Sequence, residues 1–466
     1  MKLYDTSKIK NFCLLGHGNS GKTSLAEAML YTSGNIDRIG RTTDGNTVMD
    51  FDPEEIKRKF SISTAIAACE WNGVKFNILD TPGYFDFAGE VQEAIRVADA
   101  AIIVLSGKSG LTVGAEKAWK YCDEQGIPRI FFINKVDDER VNYHNVLQQL
   151  KDKYGKKVAP FQLPIREGER ITGFVNIVEQ EARKFDGDRT VTAEMPAGME
   201  DELAELREMI KEAVAETSEE LMDKYFNGEE FTLPEMYEAL RKGVAEGDIV
   251  PVLCGSAYYK LGISSLMNAV HAYFPTPDSK DEFVMGTKKD GSQSRLKIDV
   301  SDPLSALVFK TVADPYVGKL SYFKVYSGVM TPDTTVYNMN KDINEKIDTV
   351  EGFFQPMDQY IWDWILSLQN EENTYGHMVE VGVYKGKSLC KLAQHQKGSE
   401  HILGIDHWLT EEGYKSTVLN AIKKTSNVSL GYVNLVPNKS EFISGTSFTH
   451  DHTGMTTDFR NLSRFV

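Results

Sequence analysis

The octapeptide Gly16-His17-Gly18-Asn19-Ser20-Gly21-Lys22-Thr23 fills every fixed position of G-x-x-x-x-G-K-[ST]. It stands between a short apolar run, Phe12–Leu15, and a helical pattern over Thr23–Tyr31, which is the context that motif requires. Its chemistry is phosphate binding. Glycines let successive backbone N–H groups turn inward, and the helix that follows offers its positive end to the anion. In that arrangement Lys22 reaches the β and γ phosphates, and the Thr23 hydroxyl coordinates Mg²⁺. A second run, Val74–Leu79, leads into Asp80-Thr81-Pro82-Gly83. Here a carboxylate can hold the cation's water shell, and Gly83 can aim its N–H at a γ-phosphate. A third run, Ile130–Ile133, leads into Asn134-Lys135-Val136-Asp137. The Asp137 carboxylate can accept from both N1–H and the 2-amino group of guanine, a donor pair that adenine lacks. Asn134 can bridge base and phosphate loop, and the Lys135 stem can cover a ring face. After Val252–Cys254 come Gly255-Ser256-Ala257, where the Ser256 and Ala257 amides can meet guanine O6. A lone DxxG is common by chance. NKxD downstream of a complete phosphate loop and a DxxG is highly specific, so the four together predict a GTP site.

These loops need a scaffold that brings strand ends together. Short apolar runs, including Ala101–Leu105 and Ile249–Cys254, alternate with amphipathic segments such as Gly89–Val97. This is the pattern of an open, largely parallel α/β sheet, which places ligands at the carboxyl ends of its strands. The predicted domain spans residues 1–277, with an insertion at about 158–248, and Pro275 and Pro277 close it. Within the insertion, Glu200–Asp248 carries sixteen acidic residues against five basic ones, much of the chain's formal net charge of −16. Leu203, Leu206, Ile210, Ala213 and Val214 recur there at helical spacing, so a solvated helix face is the favoured reading over a docking surface for a basic partner. The polar stretch Asp278–Ser301 reads as a loop or linker. Beyond it Leu304–Val312, Leu320–Tyr326 and Thr334–Tyr337 predict a β-rich unit over 303–341.

With 466 residues, 41% of them hydrophobic and 26% charged, the chain has the composition of a globular protein of several domains. Its acidity argues against membrane binding and against general or sequence-specific nucleic-acid binding. Five scattered cysteines, no leader pattern and no apolar run of membrane-spanning length predict a cytoplasmic protein.

GHGNSGKTSLAEAMLYTSG, DTPGYFDFAGEVQEAIRVADAAIIV, IPRIFFINKVD and CGSA closely resemble bacterial elongation factor G, and DPLSALVFKTVADPYVGKLSYFKVYSG resembles the opening of that family's β-barrel domain II. The resemblance covers roughly residues 1–341. It implies a GTP-hydrolysing domain that uses Mg²⁺ and works on the ribosome. It makes Ile56–Ile62 switch I, with Ser61 as the cation's switch ligand where the family usually has threonine, and Asp80–Glu90 switch II. The acidic insertion becomes the subdomain that meets the ribosomal stalk. Where most of the family reads DTPGH, this chain has Tyr84. The usual histidine orients the attacking water, a role worth about 10²–10⁴ in rate. A tyrosine hydroxyl can still hydrogen-bond water, so hydrolysis is expected, with Tyr84, Lys22 and Gly83 as its catalytic groups. Asn19 likewise replaces a common aspartate. The family's later, translocating domains are not matched by the rest of the chain. A guanine-nucleotide module with little turnover is the alternative.

From about residue 344 a different resemblance takes over. Met378–Ser388, with Glu380, Gly382 and Gly386, looks like motif I of a class I S-adenosylmethionine-dependent methyltransferase, and the run Ile402–Ile405 ends at Asp406, 26 residues after Glu380. That resemblance implies S-adenosylmethionine as the ligand of a partial Rossmann-like α/β unit, with a helix at Gln359–Leu368. GVYKGKS imitates a second phosphate loop but has three residues between its glycines, not four. Three strands against about seven predict no methyl transfer, and the joined partial units predict a fusion or frameshift; a fusion whose C-terminal part binds S-adenosylmethionine as a methyltransferase is the second alternative. His450-Asp451-His452 reads as polar tail rather than metal site.

Overall fold

The computed structural model describes residues 4–168, 170–186, 189–280, 283–314, 318–331 and 334–346, followed by the strands at 378–381, 402–405, 433–436, 447–449 and 456–458. The chain divides into two compact units. The first comprises Met1–Lys288, Gln293–Phe309 and Lys324–Gly328; the second comprises Lys289–Ser292, Lys310–Phe323 and Val329–Val466.

The first unit is the expected α/β domain. Its seven-stranded sheet contains β1 (Ile9–Leu15), β2 (Ala65–Trp71), β3 (Val74–Asp80), β4 (Ala100–Ser106), β5 (Arg129–Asn134), β6 (Val158–Pro160) and, after the insertion, β11 (Val250–Cys254), in the order β2-β3-β1-β4-β5-β11-β6. All neighbours are parallel except β2, which pairs antiparallel with β3. Every residue of β4 and β5 is buried, as continuous apolar runs require in a strand covered on both faces. The helices α1 (Lys22–Thr32), α2 (Pro53–Arg58), α3 (Ala88–Val97), α4 (Val113–Gln125) and α5 (Tyr143–Tyr154) connect these strands. Phe12 anchors the core, edge-on to Phe76 at 5.7 Å and to Phe274 at 5.8 Å. Cys13, Cys69, Cys122 and Cys254 are buried free thiols.

The structure moves three sequence-based boundaries. The insertion begins later than 158, because Val158–Pro160 is the edge strand of the main sheet, too short to carry a pattern. It then opens with an antiparallel sheet of β7 (Gln162–Glu167), β8 (Arg170–Asn176), β9 (Glu181–Asp186) and β10 (Arg189–Ala193), before the acidic helices α6 (Glu200–Ala215), α7 (Glu219–Phe226) and α8 (Leu233–Glu246). The helix α9 (Ile263–Tyr273) closes the domain. Asp278–Ser301 is not simply a linker: β12 (Phe283–Thr287) and β13 (Gln293–Lys297) form a hairpin there, turning at Asp290-Gly291 where the Asp290 carboxylate accepts from Ser292 N–H. Charged and polar residues in β13 mask its alternation.

Two hairpin strands follow, β14 (Ser305–Asp314) and β15 (Gly318–Ser327). In the second unit, β16 (Thr335–Asn338) pairs antiparallel with β17 (Ile343–Lys346), so β structure runs past 341 to 346. Further on, β18 (Met378–Val381), β19 (Ile402–Ile405) and β20 (Val433–Val436) are parallel neighbours, and β21 (Ser447–Thr449) pairs antiparallel with β22 (Thr456–Asp458). Glu380 lies on β18. Gly382, Gly386, Asp406, the helix expected at Gln359–Leu368 and His450–His452 lie outside the described residues.

Among the described residues no helix is long and apolar enough to cross a membrane.

Candidate functional site

Four loops meet at the carboxyl ends of β1, β3, β5 and β11. Gly16–Gly21 joins β1 to α1, with Lys22 and Thr23 on the first turn of that helix. The Lys22 ammonium is buried and folded back onto its own loop, donating to the Gly16 and His17 carbonyls at 3.1 Å each. Burial lowers its pKa, with Asp80 and Asp50 opposing. These are neutral acceptors, so an anionic phosphate would be the better partner for this ammonium.

Asp80, at the end of β3, is wholly buried, and neither carboxylate oxygen makes a hydrogen bond of good geometry, the Thr23 hydroxyl being its nearest donor. Burial pushes its pKa up, while the Thr23 hydroxyl and the Lys22 ammonium pull the other way. An orphaned carboxylate in a native interior calls for an explanation. The Thr23 and Ser61 hydroxyls lie 3.0 Å apart beside it, and Ser61 also donates to Asp50 at 2.7 Å. This oxygen-only set fits Mg²⁺. Among the described residues no group of three or more His, Cys, Asp or Glu side chains could hold a metal. Mg²⁺ held here would need further oxygens beyond these side chains.

Gly83 packs directly on the phosphate loop: a Cβ built there would lie 2.5 Å from Lys22 Nζ and 2.7 Å from Gly18 N. Only glycine allows that approach. The Tyr84 ring covers Gly18, where an added Cβ would come within 3.1 Å of it. Its other neighbour is Phe60, at a centroid distance of 4.8 Å, and the Asn19 amide sits 3.5 Å from its hydroxyl. Asn19 adopts a left-handed backbone (φ 63°), which asparagine tolerates better than most residues. Tyr84 thus joins the phosphate loop to the segment that ends in Ser61. His17 lies edge-on to Phe85, the next residue, with ring centroids 5.8 Å apart.

Asn134 ties three loops together. Its amide N–H donates to the Ser20 carbonyl at 3.0 Å, and its oxygen accepts from Lys135 N at 2.8 Å and Ala257 N at 2.9 Å. Lys135 reaches across to the Asn19 carbonyl at 2.6 Å, and burial lowers its pKa. Asp137 keeps one buried oxygen, Oδ1, without a partner. That free acceptor is what a guanine edge needs. The expected use of the Ser256 and Ala257 amides is different in detail: Ser256 N donates to Leu261 O at 2.9 Å, and Ala257 N to Asn134. A base carbonyl reaching Ala257 would have to share or replace the Asn134 oxygen.

Sequence reasoning missed the carboxylates that hold the approach to Ser61. Glu55 accepts from Ile62 N and Ser63 N at 2.8 and 2.9 Å, and Glu90 accepts from Thr64 N at 2.7 Å. Asp50 and Glu27 complete the set. Acidic residues inside mixed-charge segments give no pattern that would single them out.

Residues 7–276 match the family model described as the elongation factor Tu GTP-binding domain. A solved structure from Thermus thermophilus is similar at 29% identity and a TM-score of 0.65, covering 73% of this chain and 48% of its own. The chain therefore spans about half the length of that relative. The matched segment is more than half of the 466 residues, and it contains all four loops of the site. The chain belongs to the translational GTPases, the family of the elongation factor Tu GTP-binding domain.

Proposed function

We propose that the chain hydrolyses GTP as the nucleotide switch of an elongation-factor-G-like protein, with the ribosome as its partner. The observation that carries this reading is the convergence of an unpartnered Asp80 carboxylate, the Lys22 ammonium and the unpartnered Asp137 oxygen on one set of loops. In this reading Gly16–Thr23 cradle the phosphates, and Lys22 neutralises the β and γ oxygens. Thr23, Ser61 and Asp80 would hold Mg²⁺, which when bound would supply charge neutralisation on the transferring phosphoryl group. Asn134, Lys135, Asp137, Ser256 and Ala257 form the guanine side. Gly83 presents its N–H to the γ-phosphate, and Tyr84 orients water. Catalysis is then mostly positioning and electrostatics.

The resemblance makes the subdomain with the acidic helices α6–α8 the part that meets the ribosomal stalk, and their excess of carboxylates suits a partner with a basic contact surface. The test is single-turnover hydrolysis of GTP by the full chain, with and without ribosomes. Ribosome-stimulated turnover is expected. A chain that binds GDP tightly yet turns over no GTP in either condition would instead be a guanine-nucleotide module.

A further inference from the structure

Glu27 lies one helical turn beyond Thr23 on α1, at i and i+4, so both side chains stand on the same face of the helix that begins at the phosphate loop. Its side chain is completely buried. One carboxylate oxygen accepts from Gly40 N at 2.9 Å; the other accepts from Val48 N at 2.6 Å and Met49 N at 3.2 Å. Three backbone amides, spread over ten residues of chain, thus converge on one carboxylate. Between Gly40 and Asp50 the only regular element is the short turn Thr42–Asp44, so little else in the local backbone fixes this loop. Charge-assisted bonds of this kind are about twice as strong as neutral ones.

The loop that Glu27 holds ends at Asp50, whose N–H donates to Thr47 Oγ1 at 3.1 Å. Asp50 then accepts from the Ser61 hydroxyl at 2.7 Å, and Ser61 Oγ lies 3.0 Å from Thr23 Oγ1. The path therefore leaves α1 at Glu27 and returns to it at Thr23. The contact at Gly40 is also sterically matched: a Cβ there would sit 2.8 Å from Glu27 Oε2 and 2.5 Å from the Asn46 carbonyl.

We propose that Glu27 is a positioning residue of the nucleotide site: by clamping the loop 40–49 it lets Asp50 hold the Ser61 hydroxyl against Thr23. The proposal rests on the reading of Thr23 and Ser61 as the cation's protein ligands. It makes the order of switch I depend on α1 itself.

The test compares the full chain with Glu27→Gln, Glu27→Ala and Gly40→Ala. Amide hydrogen exchange reads the loop directly. Fluorescent N-methylanthraniloyl GDP and GTP, titrated with Mg²⁺, read the cation site without needing turnover. In Glu27→Ala, exchange over 40–49 should quicken by about tenfold or more while β4 and β5 exchange as before. The Mg²⁺ concentration that half-saturates the GTP complex should rise about tenfold, with GDP affinity little changed. Glu27→Gln keeps one acceptor oxygen and should fall between. Gly40→Ala displaces the loop with the carboxylate intact, should give the same signature, and should not add to Glu27→Gln. The proposal is overturned if exchange quickens equally in β4 and β5, which marks a general strut. It is also overturned if the loop loosens and the Mg²⁺ dependence does not move. A chain that fails to hydrolyse GTP at all would count against the proposed function, while exchange and the Mg²⁺ titration would still decide the role of Glu27.

Discussion

Replacing Tyr84 by phenylalanine is the sharpest probe of how the site handles water. The substitution removes one hydroxyl and leaves the ring between Gly18 and Phe60, where it packs at 4.8 Å from the latter. The hydroxyl is held only weakly within the protein, by an Asn19 amide at 3.5 Å, so it is available to a substrate water. One hydrogen bond of this kind contributes about 1–2 kcal/mol, which is about 5–30-fold in rate. That is less than the loss expected for removing a proton-accepting group. Tyr84→Ala also removes the aromatic pair with Phe60, worth about 1 kcal/mol more, so its loss should reach about 100-fold. The assay is single-turnover GTP hydrolysis on ribosomes at saturating nucleotide, with GDP affinity measured in parallel. Both losses should appear in the hydrolysis step, with GDP affinity within about twofold of wild type. A Tyr84→Phe chain that hydrolyses GTP at the wild-type rate, or whose defect lies wholly in affinity, would refute the water-orienting role.

Two further outcomes follow from the geometry. Asp137→Asn replaces one acceptor oxygen by a donor, so GDP should bind about 100-fold more weakly. Xanthosine diphosphate, whose extra carbonyl can accept from the new amide, should become the preferred ligand in a competition titration. Lys10 supplies the pH test. Burial, reinforced by the Arg241 cation, lowers its pKa to about 8, while its ammonium donates to the Phe274 carbonyl. The unfolded chain holds this proton more tightly than the folded one. The group therefore opposes folding fully below about pH 8, and the penalty of about 3 kcal/mol lifts as pH rises to about 10.5. In urea unfolding, the stability of wild type relative to Lys10→Met should improve by that order between pH 7 and 10.5; a pH-independent difference would contradict it.

The central sheet was legible because its strands are buried on both faces and read as unbroken apolar runs, such as Ala101–Leu105 and Ile130–Ile133. The edges were not. Val158–Pro160 is too short for a pattern, β9 and β13 carry charged side chains where an alternating strand would show apolar ones, and β12 is a five-residue run with a glycine inside it. In the site, glycine-rich and NKxD loops announce themselves because their backbone geometry demands particular residues at fixed spacing. Glu27, Asp50, Glu55 and Glu90 act through backbone amides and hydroxyls distant in sequence, as with Glu27 and Val48, and that chemistry leaves no local spacing. Nor does sequence show that Ala257 N–H is already engaged by Asn134.

The most direct measurement of the account is single-turnover hydrolysis of GTP and of ATP by the full chain on ribosomes, each with Mg²⁺ and with the metal chelated. Ribosome-stimulated release of phosphate from GTP alone, abolished by chelation, is the predicted result. Equal turnover of ATP, or GTP turnover indifferent to Mg²⁺, would contradict the assignment of Asp137 to guanine and of Thr23, Ser61 and Asp80 to the cation.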